Sequence, residues 1–502
     1  MYSKLFTALL AGAACQAAFA APPDSPLKAA PVPEQDFVFP NRFDTERQQL
    51  LERNSELRKK TAKPDDENAP LPEMGDADLK NNLELTHHII NTAMIREDWP
   101  TLQRIMAFYR EIPNHDPTMY DFVQGALLRS QGKHGKAVKL YRNMLEKQPD
   151  LSYVRLDYAG MLFENRAYRD ARKQFERVKK EDIEPEAAAQ AEGYLMAIRE
   201  MNPLQVKIRA GWQYSNNVNN ATSNDYFLWP FMEDDDNVYY DILPREVTSM
   251  PRSGHGYSYG AEVQKDFNIK GSHNLSAGFN ADGVHYPSSQ SDNEFGLSLN
   301  PGYKFQNIDT TFEINPIIRA DWQGNRLYSR NLGANVAVSR WISPKTQLAA
   351  SYFGIKKKYH DESYAGYDSI THGASTTAFR ALTDKLFAYG SAGWQNEKTE
   401  DSEETSNRRS AGLGMVYQAD NGIGVRTDAR FVHRRFKNPA SLYAGVRRRD
   451  REMYFDVSVW KDKWLPGGIT PKLEFGYTKV KSNIYAFPRD KKQIAVTFEK
   501  AF

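Results

Sequence analysis

The side chains that could do chemistry are few, and their spacing argues against catalysis. His87 and His88 are the first candidates for a metal site. Adjacent residues point to different sides of a helix, so the pair reads as structural or solvent-facing rather than as two ligands of one ion. The one cysteine, Cys15, lies near the N-terminus, so the chain beyond it offers no thiol, disulfide or Cys-ligated metal. Neither a glycine-rich phosphate loop nor an H-E-x-x-H helix is present. A Ser-His-acid site assembled across strands would leave no spacing signature, and nothing in the sequence calls for one. The expectation is a protein without catalytic, cofactor-binding or metal-binding residues. Its formal net charge of +2 gives no global field for nucleic acid.

The charged residues that do form a pattern are spread over separate strand-like segments: Arg319, then Arg426, Arg430 and Arg434, then Glu452 and Asp456. Arg319, Arg430 and Asp456 stand between apolar neighbours, and Arg426, Arg434 and Glu452 share the parity of those on their own strands, which places the set on the wet face of a sheet. Opposed charges in such positions commonly form structural ladders; the functional reading is a charged lining that a passing chain must meet.

Two kinds of element must position these groups. A chain of 502 residues is too long for one ordinary core. Residues 1–20 read as a secretory signal: Lys4, a short apolar run from Leu5 to Ala18, and small residues before Ala21. The run falls short of a spanning helix, and Gly12 makes Cys15 a poor lipidation site. Residues 21–76 are rich in Pro and charge and read as a tether with a short helix between Thr45 and Lys60.

Residues 77–202 turn helical. Ala126, Gly132, Ala137, Tyr141 and Pro149 occupy the small, turn, small, aromatic and terminating positions of a tetratricopeptide unit, and Ala171 and Phe175 repeat Ala137 and Tyr141 at the expected period of about 34 residues. Ala159 takes the small position in the second unit. Leu85–Met94 and Thr101–Arg110 make a degenerate first pair, and Pro185–Glu200 a capping helix. Such a stack leaves a concave face suited to peptides; the plain alternative is a spacer that holds nothing.

After Pro203 the period falls from near 3.6 to 2 and stays there. Leu204, Val206, Ile208, Ala210 and Trp212 alternate with polar residues, as do later segments such as Phe312, Ile314 and Ile318. A soluble sandwich alternates too. Here about 14 strands are joined by short turns alternating with longer polar loops, the wiring of a bacterial outer-membrane barrel. The fold class is therefore two-domain α + β: tetratricopeptide-like repeats, then a transmembrane antiparallel β-barrel over 203–502. An even strand count puts both barrel ends on the periplasmic side, with the repeats. The first and longest loop, from Asn220 to Gly254, carries Phe227, Trp229 and Phe231 beside an acidic run, which suggests a fold over the mouth or a contact with a partner. Phe498 and Phe502 share one face of the last strand, as outer-membrane assembly signals do.

Leu162-Phe163-Glu164-Asn165-Arg166, Arg447-Arg448-Arg449-Asp450 with Glu452, Trp460 followed by Gly468-Ile469-Thr470-Pro471, and Ser482-Asn483 occur in that order, and together the chain resembles the surface lipoprotein assembly modulator (Slam) family from about Ala77 to Phe502. The resemblance implies an outer-membrane translocator that moves a particular client to the cell surface, often a lipidated receptor that captures host iron, haem or complement regulators. In that picture the repeats collect the client in the periplasm and the barrel conducts or inserts it. Its partners would be a surface lipoprotein or secreted haem/iron-binding protein, the barrel assembly machinery, periplasmic chaperones and outer-membrane lipid. The main rival is a polysaccharide-export porin, which would carry more repeats and a lumen of sugar-stacking aromatics. A diffusion porin would have no use for the helices.

Overall fold

The computed structural model describes residues 75–200, 204–234, 237–245, 247–443 and 445–502. The expected signal and nearly all of the expected tether lie outside them.

The helical part runs α1 (Asp76–Asn81), α2 (Leu83–Arg96), α3 (Trp99–Phe108), α4 (Pro117–Ser130), α5 (His134–Lys147), α6 (Ser152–Glu164), α7 (Tyr168–Val178) and α8 (Pro185–Glu200). Starts are set by local chemistry: the Asn82, Asp98 and Asp116 side chains accept from backbone amides of the first turns of α2, α3 and α4, and proline stands in the first turn of α3 and α4. The helices bury two apolar clusters. One joins α1 to α4 around Leu79, Leu102, Ile105 and Tyr109; the other joins α5 to α8 around Tyr141, Ala159, Phe175 and Leu195.

The strands are β1 (Gln205–Ser215), β2 (Tyr226–Asp234), β3 (Asn237–Pro244), β4 (Gly254–Lys270), β5 (His273–His285), β6 (Glu294–Leu299), β7 (Gly302–Gln306), β8 (Thr310–Gln323), β9 (Arg326–Ser343), β10 (Thr346–Tyr359), β11 (Ser369–Ala381), β12 (Leu386–Thr399), β13 (Ser406–Gln418), β14 (Ile423–Phe436), β15 (Arg449–Lys461), β16 (Thr470–Ser482) and β17 (Arg489–Ala501). All but β2 and β3 form one antiparallel sheet that closes through β1 against both β17 and β4. Counting β6 and β7 as two halves of one stave, the barrel has 14 strands. Closure leaves no strand edge in hydrocarbon. The wall follows the alternation of the sequence: Leu275, Leu332, Leu413 and Phe431 stand exposed on the outside, where lipid replaces water as their solvent.

Two segments depart from the sequence reading. Where the alternation of short turns and longer polar loops calls for an extracellular loop after β8, over Gln323 to Ser329, the chain is mostly strand: β8 and β9 continue to a two-residue turn at Gly324-Asn325, both with positive φ (55° and 63°), the geometry of a tight type I′ hairpin. The first extracellular loop is not irregular either, since β2 and β3 pair within it as a separate hairpin.

Candidate functional site

The repeat positions pack as helix pairs. Ala126, Ala137, Tyr141, Ala159, Ala171 and Phe175 are buried, and Gly132 ends α4 with φ +73°. The Tyr141 ring stacks on Phe122 at 5.6 Å between centroids, and its hydroxyl donates to the Phe122 carbonyl at 2.8 Å. The space for that ring comes from Gly125, a position the repeat pattern did not single out: a Cβ there would lie 1.9 Å from Tyr141 Cε1. Phe175 stacks on Tyr194 of α8 at 4.7 Å. Glu164 accepts from Arg129 of the preceding repeat, with Nε at 2.9 Å. Asp157 lies close by; burial raises its carboxyl to about 6, Arg129 opposing the shift and Glu164 adding to it. His87 meets the Tyr109 hydroxyl at 2.7 Å, while His88 is exposed, so the two do not converge.

The turn between α6 and α7 grips the periplasmic turn between β4 and β5. Ser272 Oγ donates to the Asn165 carbonyl at 2.8 Å, the Gly271 amide to Asp170 at 2.8 Å, the Arg169 amide to Asn268 Oδ1 at 3.1 Å, and an Arg169 Nη to the Ile269 carbonyl at 2.7 Å. Asn165 belongs to the Leu162–Arg166 motif, so one short segment both staples two repeats through Glu164 and docks the stack on the barrel. Nothing in one-dimensional spacing could have announced this contact.

Inside the barrel the expected charged positions are all inward-facing, and most sit in pairs. Arg319 donates to Asp321 at 2.7 Å and to Asp282 at 3.4 Å. Arg426 donates to Asp428 at 2.5 Å. Arg434 donates to Glu397 at 2.9 Å and to Ser406 Oγ at 2.9 Å, and Arg408 reaches the same Glu397 at 3.3 Å. Arg430 lies over the Tyr454 ring, whose hydroxyl donates to Glu452 at 2.5 Å. Asp456 stands across the ladder from Asp428. The carboxylate partners Glu397 and Asp282 were not foreseen, because each sits on another strand.

Against the reading that nothing in the sequence calls for a serine site, Gly256-Tyr257-Ser258-Tyr259-Gly260 does have the G-x-S-x-G spacing of a nucleophile elbow. It runs straight within β4, paired on both sides, without the strand-to-helix turn that such a serine needs.

At the extracellular mouth, Phe227, Trp229 and Phe231 lie on β2 of the small hairpin. Its base is pinned to the loop between β16 and β17, where Tyr226 stacks on Tyr485 at 4.8 Å and Thr222 Oγ1 donates to the Pro488 carbonyl at 2.6 Å, and it is braced from within by Arg245, which donates to the carbonyls of Thr222 and Asn224 at 3.0 and 2.6 Å. At the other end, Phe498 and Phe502 are exposed on the outer wall, and the Phe502 amide donates to the Val206 carbonyl at 2.9 Å.

Comparison with known proteins agrees with this architecture. Residues 204–502 match the family model described as surface lipoprotein assembly modifier, and residues 72–175 match the model of that family's N-terminal TPR repeats. Surface lipoprotein assembly modifier 1 of Neisseria meningitidis is 25% identical over 84% of this chain and 84% of its own length. Its namesake in Haemophilus influenzae is 24% identical over 82% and 83%. A hemophilin secretion modulator of Acinetobacter baumannii is 23% identical over 82% and 84%. Among solved structures, the outer membrane channel DcaP of Acinetobacter baumannii covers 60% of this chain and 97% of its own at a TM-score of 0.35. With a family model spanning the whole barrel, a second on the repeats before it, and a closed 14-strand wall between them and the cell surface, this chain is an outer-membrane member of the surface lipoprotein assembly modifier family.

Proposed function

We infer that this protein delivers specific clients, surface lipoproteins or secreted haem- or iron-binding proteins, from the periplasm to the cell surface. The observation that carries the reading is the dock between Asn165–Asp170 and the turn at Asn268–Ser272, which fixes a peptide-binding type of helical stack at the periplasmic rim of the barrel. A client held by the repeats is thereby presented to the lumen mouth. The names of the relatives point the same way, toward lipoprotein assembly in two and hemophilin secretion in a third. In this reading the Arg319, Arg426 and Arg434 pairs line the route, and the hairpin with Phe227, Trp229 and Phe231 meets the client outside. Phe498 and Phe502 serve barrel assembly, with the assembly machinery and periplasmic chaperones as helpers.

The test is protease shaving of intact cells, read by mass spectrometry, with the gene present, deleted, or lacking residues 77–203. The reading expects one or two surface proteins to be lost from the protease-accessible set while persisting in the periplasm, in both altered strains. An unchanged surface proteome with reduced polysaccharide or solute flux would overturn it in favour of an export porin.

A further inference from the structure

Ionic groups on the lumen side of β13 to β16 are matched, but those on the outer side are not. Register places Arg409 across from His433, His433 across from Arg451, and Arg451 across from Lys481. One step farther up, Arg435 stands across from Arg449. All six share the parity of Leu413, Phe431, Met453 and Phe475, which are exposed on the outer wall. Neighbouring strands lie about 4.8 Å apart, so the row of four spans only about 14 Å.

Like charges directly opposite one another in a sheet are destabilising. Among the described residues, the five side chains of Arg409, Arg435, Arg449, Arg451 and Lys481 are exposed and none has a carboxylate within ion-pair distance; the polar contact recorded inside the cluster is Arg435 Nε donating to His433 Nε2 at 3.5 Å. Asp450 and Glu452 of the same strands point into the lumen, and Asp490, on the next strand, stands across from Lys479 rather than from a member of the row. An anion lying over the row would relieve that repulsion.

Its height says what that is. His433 is ten residues above Ile423, at the periplasmic start of β14. At about 3.4 Å per residue and a tilt near 40°, that is roughly 25 Å, the full height of a barrel's apolar band. The row therefore lies at the outer headgroup level, and Trp394, exposed and across from Arg409, marks the same boundary as part of an aromatic girdle.

We propose that the outer wall formed by Arg409, His433, Arg435, Arg449, Arg451 and Lys481 is a binding site for the phosphate-bearing headgroup of the outer-leaflet glycolipid. Guanidinium groups pair with phosphate oxygens in a forked, charge-assisted way, and the apolar residues just below the row receive the acyl chains.

The purified protein would be titrated in detergent with bisphosphorylated lipid A, dephosphorylated lipid A and phosphatidylglycerol, and the retained lipids counted by native mass spectrometry. The triple variant R409S/R451S/K481S would be titrated alongside, with heat-modifiable gel migration as the check on barrel assembly. Expected is retention of lipid A by the natural protein, weakened roughly 100-fold in the variant or on loss of the phosphates. Equal retention by the variant, equal retention of dephosphorylated lipid A, or phosphatidylglycerol held as tightly as lipid A would overturn the proposal. If the variant fails to assemble, the comparison of lipids on the natural protein decides alone.

Discussion

Pro301 stands directly across the ladder from Pro316. Register is unbroken on either side, Leu299 pairing with Ile318 and Tyr303 with Ile314, so the two imino acids face each other midway along the wall. Asn300 exchanges both of its backbone hydrogen bonds with Gly278 on β5, which turns the Pro301 backbone toward β8. Neither proline has an N–H to give. Two hydrogen bonds are therefore missing from the β7–β8 ladder, at a depth where an unsatisfied carbonyl is expensive.

Replacing both prolines with valine should restore the two bonds. The net gain expected is about 2 kcal/mol, since the extra backbone freedom of the unfolded valine chain offsets part of it. Urea unfolding in micelles, followed by tryptophan fluorescence, reads the shift. An unmoved midpoint would mean that lumenal water already satisfies the two carbonyls.

Gly125→Ala should destabilise the repeats by about 1–3 kcal/mol, because its methyl group would have to displace the Tyr141 ring. Tyr141→Phe loses only the bond to the Phe122 carbonyl and should give up about 1 kcal/mol. Helical ellipticity on heating should report both, with the sheet signal unmoved.

Asp157 makes the repeats pH-sensitive in an unusual direction. Its carboxyl is raised to about 6 in the folded state by burial. The folded form then holds the proton more tightly than the unfolded chain does, so stability is greatest when Asp157 is protonated and falls as pH rises from about 4 to 6, by up to about 3 kcal/mol. Asp157→Asn should flatten that part of the profile and raise the helical melting temperature at pH 7. A variant with the same slope as the natural protein would show that another group titrates there.

Asp170→Ala should loosen the dock by about 1 kcal/mol, through loss of the bond to the Gly271 amide. Hydrogen exchange of a peptide covering 268–273 should quicken severalfold, while peptides from β11 to β13 stay protected. Equal protection in both proteins would mean that Ser272 and Arg169 hold the turn unaided.

The barrel was largely legible because each strand repeats one physical rule: a residue faces lipid or lumen by parity, and Leu275, Phe279, Ile314 and Leu413 keep to it. What escaped depends on geometry between segments. Pro301 was visible in the sequence, but its meaning needs the register that sets Pro316 opposite. The small hairpin was hidden because Tyr226 to Met232 is apolar without alternation and contains Pro230. In the repeats, the small-residue pattern pointed to Ala126, whereas the Tyr141 ring rests on its neighbour Gly125, a choice that only the rotation of α4 decides. The cationic row was unreadable for a similar reason: its members come from four strands and meet only in the register at which those strands pair.

The seam between β1 and β17 also has a meaning in time. Val206 and Phe502 meet there through the Phe502 amide, so the first stave of the wall waits for the last. Contacts so far apart in the chain form late, since most of the loop entropy falls on them. The helices precede the first strand and need no such closure, so they can fold while the sheet is still open and carries two raw edges. Each new molecule thus passes through an interval in which a finished helical stack is tethered to an unfinished wall.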